Sequence, residues 1–580
     1  MKKTLPALLL FTSIFLFACS RDENPLPSGD SENPAVLDTV SDDPLDYIWD
    51  STSVVSVKMT GSEVVVSDST VQLNGKMICI TSPGAYSFSG NLSDGQIYIN
   101  SPGKGRLQLI LESVDIHNSD GPAIAIADAK KVVIILPEES VSSISDGSSY
   151  SGTLVKGDEP TGAIFSMSDL SIGGGGCLTV TGNYKDGIVS KDGLIIRYST
   201  LSVTAKDDGI RGKDWLLLLG ASLGVQAGGD GLKSDNDEDA GKGYMYLYPY
   251  GCTIVSAGDA FSAATGITIG GGVFSLTAGG GAGKTVAADG SAKGLKAGSW
   301  LQVDGGEMIV SSADDAFHSN GTILIGAGEF SLASTDDGVH AESAIETNGG
   351  NCTITRCYEG MEAHVITING GTFHITSSDD GINTGTGSEP GQVNSGASTS
   401  FLYVNGGYVY VNANGDGLDI NGSIAMKGGT VVVDGPTAND NGALDYDLSF
   451  ALSGGTVIAA GSSGMSMAPG TNSTVNSLLL NFSSVQAAGT LVHICNQGGT
   501  GIMTFAPAKK FQSINISMPG LVKGTTYQVY TGGQNTGTPV DGVFPAEGYT
   551  PGTLYTSFTV SSAVTRIGNG GMPGGPGTRP

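Results

Sequence analysis

The chain has 580 residues, 90 of them glycine and only 14% charged, so it is long enough for a large core but too rich in turn formers for ordinary helical packing. Its 56 acidic and 28 basic residues leave a formal charge of −28. That balance excludes nucleic acid and anionic membrane surfaces as natural partners and favours cations.

Lys2 and Lys3, followed by a mostly apolar run from Leu5 to Ala18, have the layout of a secretory signal, too short for a stable membrane span. Residues 1–18 are therefore read as a signal peptide. Leu16-Phe17-Ala18-Cys19 resembles a bacterial lipobox, which would make Cys19 the lipidated first residue of an exported lipoprotein at the outer membrane or cell surface. An ordinary signal with an incidental cysteine is the alternative. Residues 19–46, rich in Pro, Ser, Asp and Glu, read as a disordered tether. On this reading the membrane is touched only through the lipid.

Residues 47–180 alternate strand-like runs such as Lys131 to Leu136 with turns, as expected of an N-terminal cap and early coils. From 181 to 455 a short word returns, an acidic residue, then Gly or Ala, then an apolar residue. It reads DDGI at Asp207–Ile210, GDGL at Gly229–Leu232, DDAF at Asp314–Phe317, DDGV at Asp336–Val339, YEGM at Tyr358–Met361 and DDGI at Asp379–Ile382. The spacing is often 22 residues, the mark of a solenoid whose coils bury their apolar faces only by stacking.

Aligned on the acid, apolar residues recur seven positions before it, as at Leu201, Leu223, Cys252, Met308, Phe330, Cys352, Phe373 and Val409. They recur again five positions before it, as at Val203, Val225, Ile254 and Val310. Two apolar positions separated by one residue are the buried face of a strand. A further column two residues after the acid holds Ile188, Ile210, Leu232, Phe261, Leu295, Phe317, Val339, Met361, Ile382 and Leu418. The Gly beside the acid permits a tight corner between the two strands. The expected fold is all-β, a parallel β-helix, with residues 456–567 as C-terminal coils or cap hiding the open strand edges and 568–580 as a disordered Gly- and Pro-rich tail.

The spacing stretches to 29 after Asp230, to 34 from Asp259 to Lys293 and to 36 after Asp380, and such insertions commonly build a binding face. Cys352 and Cys357 form the only close cysteine pair, a candidate disulfide in an exported protein, although the register also places Cys352 in the core.

Coils about 4.8 Å apart turn repeated acids into a column of like charge. Neighbouring pairs would repel by about 3–4 kcal/mol at an effective dielectric near 20, or about 1 kcal/mol if fully solvated. Something must offset this. Hard cations with oxygen ligands, above all Ca²⁺, are the candidates at Asp208, Asp230, Asp315, Asp337 and Asp380. Asx turns with hydrated carboxylates are the alternative. The first insertion adds Asp235, Asp237 and Asp239 at alternate positions followed by Gly241, a loop able to wrap one calcium ion but not an EF-hand, because Tyr246 stands where the bidentate Glu would be.

One residue beyond the inward position, the side chains of Arg211, Lys233, Ser262, Lys296, His318, His340, Glu362, Asn383 and Asp419 form an outward column suited to a hydroxyl- or carboxylate-bearing polymer. The basic members either dock an acidic ligand or pair with the adjacent acids. Tyr244, Tyr246, Tyr248 and Tyr250 alternate in KGYMYLYPY, placing rings on one strand face that could bind sugar C–H groups or pack under a loop.

The stretches GDGLKSDNDEDAGKGY (Gly229–Tyr244), ADDAFHSNGTILI (Ala313–Ile325), STDDGVHAE (Ser334–Glu342) and YEGMEAHVITINGGTFHITSSDDGIN (Tyr358–Asn383) closely resemble the bacterial carbohydrate-binding domain-containing proteins, over about residues 50–455. The resemblance implies a right-handed parallel β-helix on the cell surface that binds calcium and plant-wall polysaccharides such as cellulose and pectin-like acidic chains. It also implies kinship to calcium-dependent pectate-type lyases, in which Lys233 would be the base. A lysine in so acidic a setting holds its proton, which disfavours catalysis. Expected, then, is a non-catalytic, monomeric polysaccharide binder. A calcium-dependent lyase and a calcium-stiffened adhesin without a glycan partner are the alternatives.

Overall fold

The structure, a computed structural model, describes residues 42–570 except 62, 104, 152–154, 289 and 386–398. Cys19, the signal segment and most of the expected tether lie outside the described residues. Apart from one short 3-10 turn at Pro44–Tyr47, the described elements are β-strands, most of them paired in parallel.

A representative coil consists of Thr200–Ala205, Ile210–Gly212 and Trp215–Leu219. Each of its three strands pairs in parallel with the equivalent strand of the next coil, Ser222–Ala227, Leu232–Ser234 and Tyr244–Tyr248. Three ladders result. The first runs from Val55–Gly61 to Thr456–Gly461, the second from Met77–Ile80 to Asp445–Tyr446, and the third from Arg106–Asn118 to Ser449–Leu452. The chain is thus a β-helix-like solenoid. Sequence periodicity gave two strands per coil, and the third ladder escaped it because its outward positions carry Trp215, Leu217, Leu219 and Tyr246, which erase polar alternation.

The apolar columns stack residue on residue. In the first ladder Leu201, Leu223, Cys252, Phe274, Met308, Phe330, Cys352, Phe373 and Val409 are successive partners. In the second, Ile188 through Leu418 follow the predicted order. All are buried in one continuous core. Phe274 was out of register in the sequence because the long connection after Ala278 separates its strand from the Lys293 corner. Cys352 and Cys357 are both free thiols, which corrects the candidate bridge. Cys352 points into the core, while the Cys357 Sγ lies 3.4 Å from the Thr376 carbonyl oxygen.

The glycine beside each acid has a different purpose from the one its sequence suggests. Gly209 is not in the left-handed region; instead a Cβ there would stand 2.3 Å from Val225 Cγ1 and 2.6 Å from the Gly231 carbonyl oxygen. Close approach of the next coil, rather than corner geometry, excludes a side chain.

Further elements pack on the solenoid at both ends. At the N-terminal end Asp46, inside the expected tether, already packs, accepting from Arg106 and Lys131, both at 2.7 Å, and just beyond the tether Tyr47, Trp49 and Val54 cover Ile110, Val133 and Ile135 on the outside of the third ladder. At the other end, Thr456–Gly461 pairs antiparallel with Phe511–Ser517, which pairs with Ser477–Gln486. A five-stranded antiparallel sheet built on Val492–Asn496 completes a second core around Phe482, Phe505 and Phe511.

Phe317 is fully buried and meets Phe330 edge to face at 5.8 Å. Phe317→Ala is expected to lower the unfolding free energy by about 3–5 kcal/mol, measurable as a shift of the urea midpoint.

Candidate functional site

The motif acids sit at the corner between the first and second ladders, and most are buried rather than displayed: Asp208 is 6% exposed, Asp315 1% and Asp337 4%, while Asp230, Glu359 and Asp380 are half-buried. Burial is tolerable because each carboxylate is satisfied by the next coil. The Asp186 Oδ1 accepts the backbone N–H of Asp208 at 3.2 Å, Asp208 that of Asp230 at 2.9 Å, and Asp230 that of Asp259 at 2.9 Å. Asp259 accepts from Lys293 at 2.7 Å. The pattern resumes with Asp315 accepting from Asp337, Asp337 from Glu359, and Asp380 from Asp416.

The second oxygen takes a side chain from the outward column. Arg211 donates to Asp186 at 2.9 Å; Lys233 lies between Asp230 at 2.9 Å and Asp208 at 3.1 Å; Lys296 reaches Asp259 at 3.4 Å. Lys293, the lysine in an acid's place, contacts Asp314 at 2.7 Å and Asp315 at 2.6 Å. His318 donates from Nδ1 to Asp315 at 2.8 Å, and His340 Nδ1 lies 3.2 Å from Asp337. From Asp186 to Asp337 the column therefore carries its own counter-charges. Burial would lower the Lys233 pKa, but the charges of Asp230 and Asp208 outweigh it and hold the amine protonated well above its ordinary value.

Beyond Asp337 the outward column changes character. The outward column continues as Glu362, Asn383, Asp419 and Asp445, with no basic member. Burial, then the charges of Asp337 and Glu362, push Glu359 up to about 9, and burial raises Asp380 to about 6. Ligand atoms of Asp380, Asp416 and Asp419 lie within 4.8 Å of one another. In the first insertion the geometry differs: Asp235 turns to Arg211 at 3.4 Å, Asp239 accepts from Gly241 within its own turn, and Asn236 points inward to Asp214. With Asp237 exposed, these carboxylates do not converge as a single ligand set.

A second feature lies on the outer face of the third ladder. Trp215, Tyr244 and, two coils further on, Trp300 share one outward column; Leu217 and Tyr246 share the next. Trp215 occupies the space over Gly193, where a Cβ would fall 1.9 Å from its Cζ2, and Trp300 does the same over Gly266, 1.9 Å from its Cε2. Ile195, Leu217 and Tyr246 are buried beneath Trp215, Leu219, Tyr244 and Tyr248. The two tryptophans were not singled out by sequence, because the glycines that receive them stand one coil earlier in the fold and about 22–34 positions away in the chain.

Comparison with known proteins places the chain. A family profile described as carbohydrate-binding domain-containing protein matches residues 74–338, taking in Trp215, Tyr246 and Trp300. A protein of that description from Acetivibrio thermocellus is 34% identical over 268 residues, which is 46% of this chain and 88% of the relative. The chain belongs to the carbohydrate-binding domain-containing protein family. A solved structure described as a polysaccharide lyase-like protein from C. thermocellum, in a gadolinium derivative, aligns with a TM-score of 0.34 and 22% identity over 54% of this chain and 96% of that one.

Two expectations follow. Lys233→Met leaves Asp208 and Asp230 buried without their shared cation and should cost about 3–5 kcal/mol in urea unfolding. Glu359 keeps its proton in the folded state at pH values where an unfolded glutamate, with a pKa near ~4.3, has lost it, so stability should fall as pH rises from about 5 to 9 in chelator. Glu359→Gln should flatten that fall in melting temperature.

Proposed function

We propose that this chain is a non-catalytic, surface-anchored polysaccharide-binding protein, folded as a right-handed parallel β-helix. Its glycan contacts lie on the aromatic outer face of the third ladder, and its calcium lies at the acid-rich end of the column. The observation that carries the reading is the seating of Trp215 and Trp300 over Gly193 and Gly266. Indole rings laid along a sheet offer broad apolar faces, and a half-exposed row with Tyr244 and Tyr248 suits the C–H faces of an extended sugar chain. The family's description as carbohydrate-binding supports the same partner class.

Calcium fits the donor set of Asp380, Asp416 and Asp419, which is all oxygen and converges within 4.8 Å. Cellulose and pectin-like acidic chains are the proposed ligands, with Cys19 as the lipid anchor. Lys233, protonated between two aspartates, supports binding over a lyase reaction, which needs a neutral base.

Co-sedimentation with insoluble cellulose and with calcium-gelled polygalacturonate tests the reading. The Trp215→Ala/Trp300→Ala double variant should bind at least about tenfold more weakly than the parent with an unchanged circular dichroism spectrum. Wild-type binding by that variant would remove the aromatic face from the site, and no sedimentation by the parent would leave an adhesin or spacer. Appearance of unsaturated product absorbance from polygalacturonate would establish the lyase instead. Calcium titration calorimetry should lose a binding step in Asp419→Asn.

A further inference from the structure

The outward column changes chemistry midway: after three basic residues it presents His318 and His340 on adjacent coils, two of the six histidines in the chain. Asp337 Oδ2 lies 3.2 Å and Glu362 Oε2 3.5 Å from the same nitrogen, Nδ1 of His340, and the ligand atoms of all three residues lie within 4.8 Å of one another. Zinc bonds of about 2.0–2.2 Å in tetrahedral array put ligand atoms about 3.3–3.5 Å apart, so small side-chain movements would admit an ion.

We propose that Asp337, His340 and Glu362 form a binding site for one divalent transition-metal ion, zinc being the type case, distinct from the all-oxygen calcium cluster further along the column. An imidazole ligand selects zinc, copper, nickel or iron over calcium and magnesium, which prefer oxygen. The neighbours leave these three groups in place. The Asp337 Oδ1 is engaged by the Glu359 N–H at 3.1 Å, so Oδ2 is the oxygen turned to His340. Asp315, 3.9 Å from His340 Nδ1, is held by Lys293 and His318. His318 is itself bound at both ring nitrogens, to Asp315 and to Asn320 at 2.8 Å each, and packs edge-on against His340 with ring centroids 5.0 Å apart. It braces the ring rather than binding the ion. On the far side of His340, Nε2 faces the exposed Glu342 carboxylate at 3.9 Å. His340 and Glu362 are about a quarter exposed, which leaves solvent a path to the remaining coordination positions.

Tag-free protein titrated with zinc chloride by calorimetry, in excess calcium, tests the site. One zinc per chain is expected, with affinity reduced at least about tenfold in His340→Gln and in Glu362→Gln. Cobalt in place of zinc should give visible ligand-field bands that disappear in His340→Gln, a readout independent of stability. Asp419→Asn, which targets the calcium cluster, should leave the zinc isotherm unchanged, so failure of one site is told from failure of the other. No zinc binding by the parent, zinc displaced by equimolar calcium, or an unaltered isotherm in folded His340→Gln would overturn the proposal.

Discussion

Parallel ladders hold equivalent residues of successive coils about 4.8 Å apart, so whatever chemistry one coil places at a corner is repeated at the next. For apolar side chains this is a gain, and Leu201 through Val409 stack into one core. For carboxylates it is a problem of charge, and the fold answers it locally. One oxygen of each aspartate receives the backbone N–H of the following acid, and the other receives a cation from the strand just beyond the corner. Because Lys233 lies between Asp208 and Asp230, the counter-charges are staggered by half a coil and each can serve two acids. At Glu359 and Asp380, where the adjoining strand offers no cation, burial and neighbouring carboxylates raise the pKa instead.

The register of the solenoid was legible in the sequence because the word of acid, small residue and apolar residue fixes a single position in every coil. Once that position was numbered, both core columns and the outward column followed, and the ladders pair them in that order. What the period could not reveal was depth. A repeated Asp in a glycine-rich corner looks like a surface loop, yet Asp315 is nearly inaccessible, because the small residue beside the acid lets the next coil approach closely enough to cover it. Alternating carboxylates at Asp235, Asp237 and Asp239 look like a wrapped ion in one dimension, but Asn236 anchors the loop inward and turns its neighbours apart. The aromatic face depended on partners supplied by other coils, Gly193 for Trp215 and Gly266 for Trp300, and nothing in the local sequence of either tryptophan announces that pairing.

The solenoid thereby separates two kinds of surface. The corner between the first and second ladders gathers charge, and its character drifts along the axis from lysine and arginine through histidine to acids and an asparagine. The third ladder's outer face gathers rings and aliphatic side chains over the coils from Gly193 to Val303.

In a stack where each coil touches only its neighbours, loss of order ordinarily begins at the exposed ends and travels inward. Here the ends are clasped across several coils at once. Residues 42–54 lie over rungs that include Arg106, Lys131 and Arg197, while Asp541 of the terminal sandwich reaches back to His374 at 3.0 Å and Tyr408 at 2.7 Å, and Ala508 donates to Asp434 at 2.9 Å. Fraying from either tip must therefore release several rungs together. Midway, the insertion after Ala278 adds a tie of the same kind, Ala282 donating to Ser311 at 3.0 Å and Gly283 to Thr335 at 2.7 Å, so the clasp at each tip has a counterpart along the spiral.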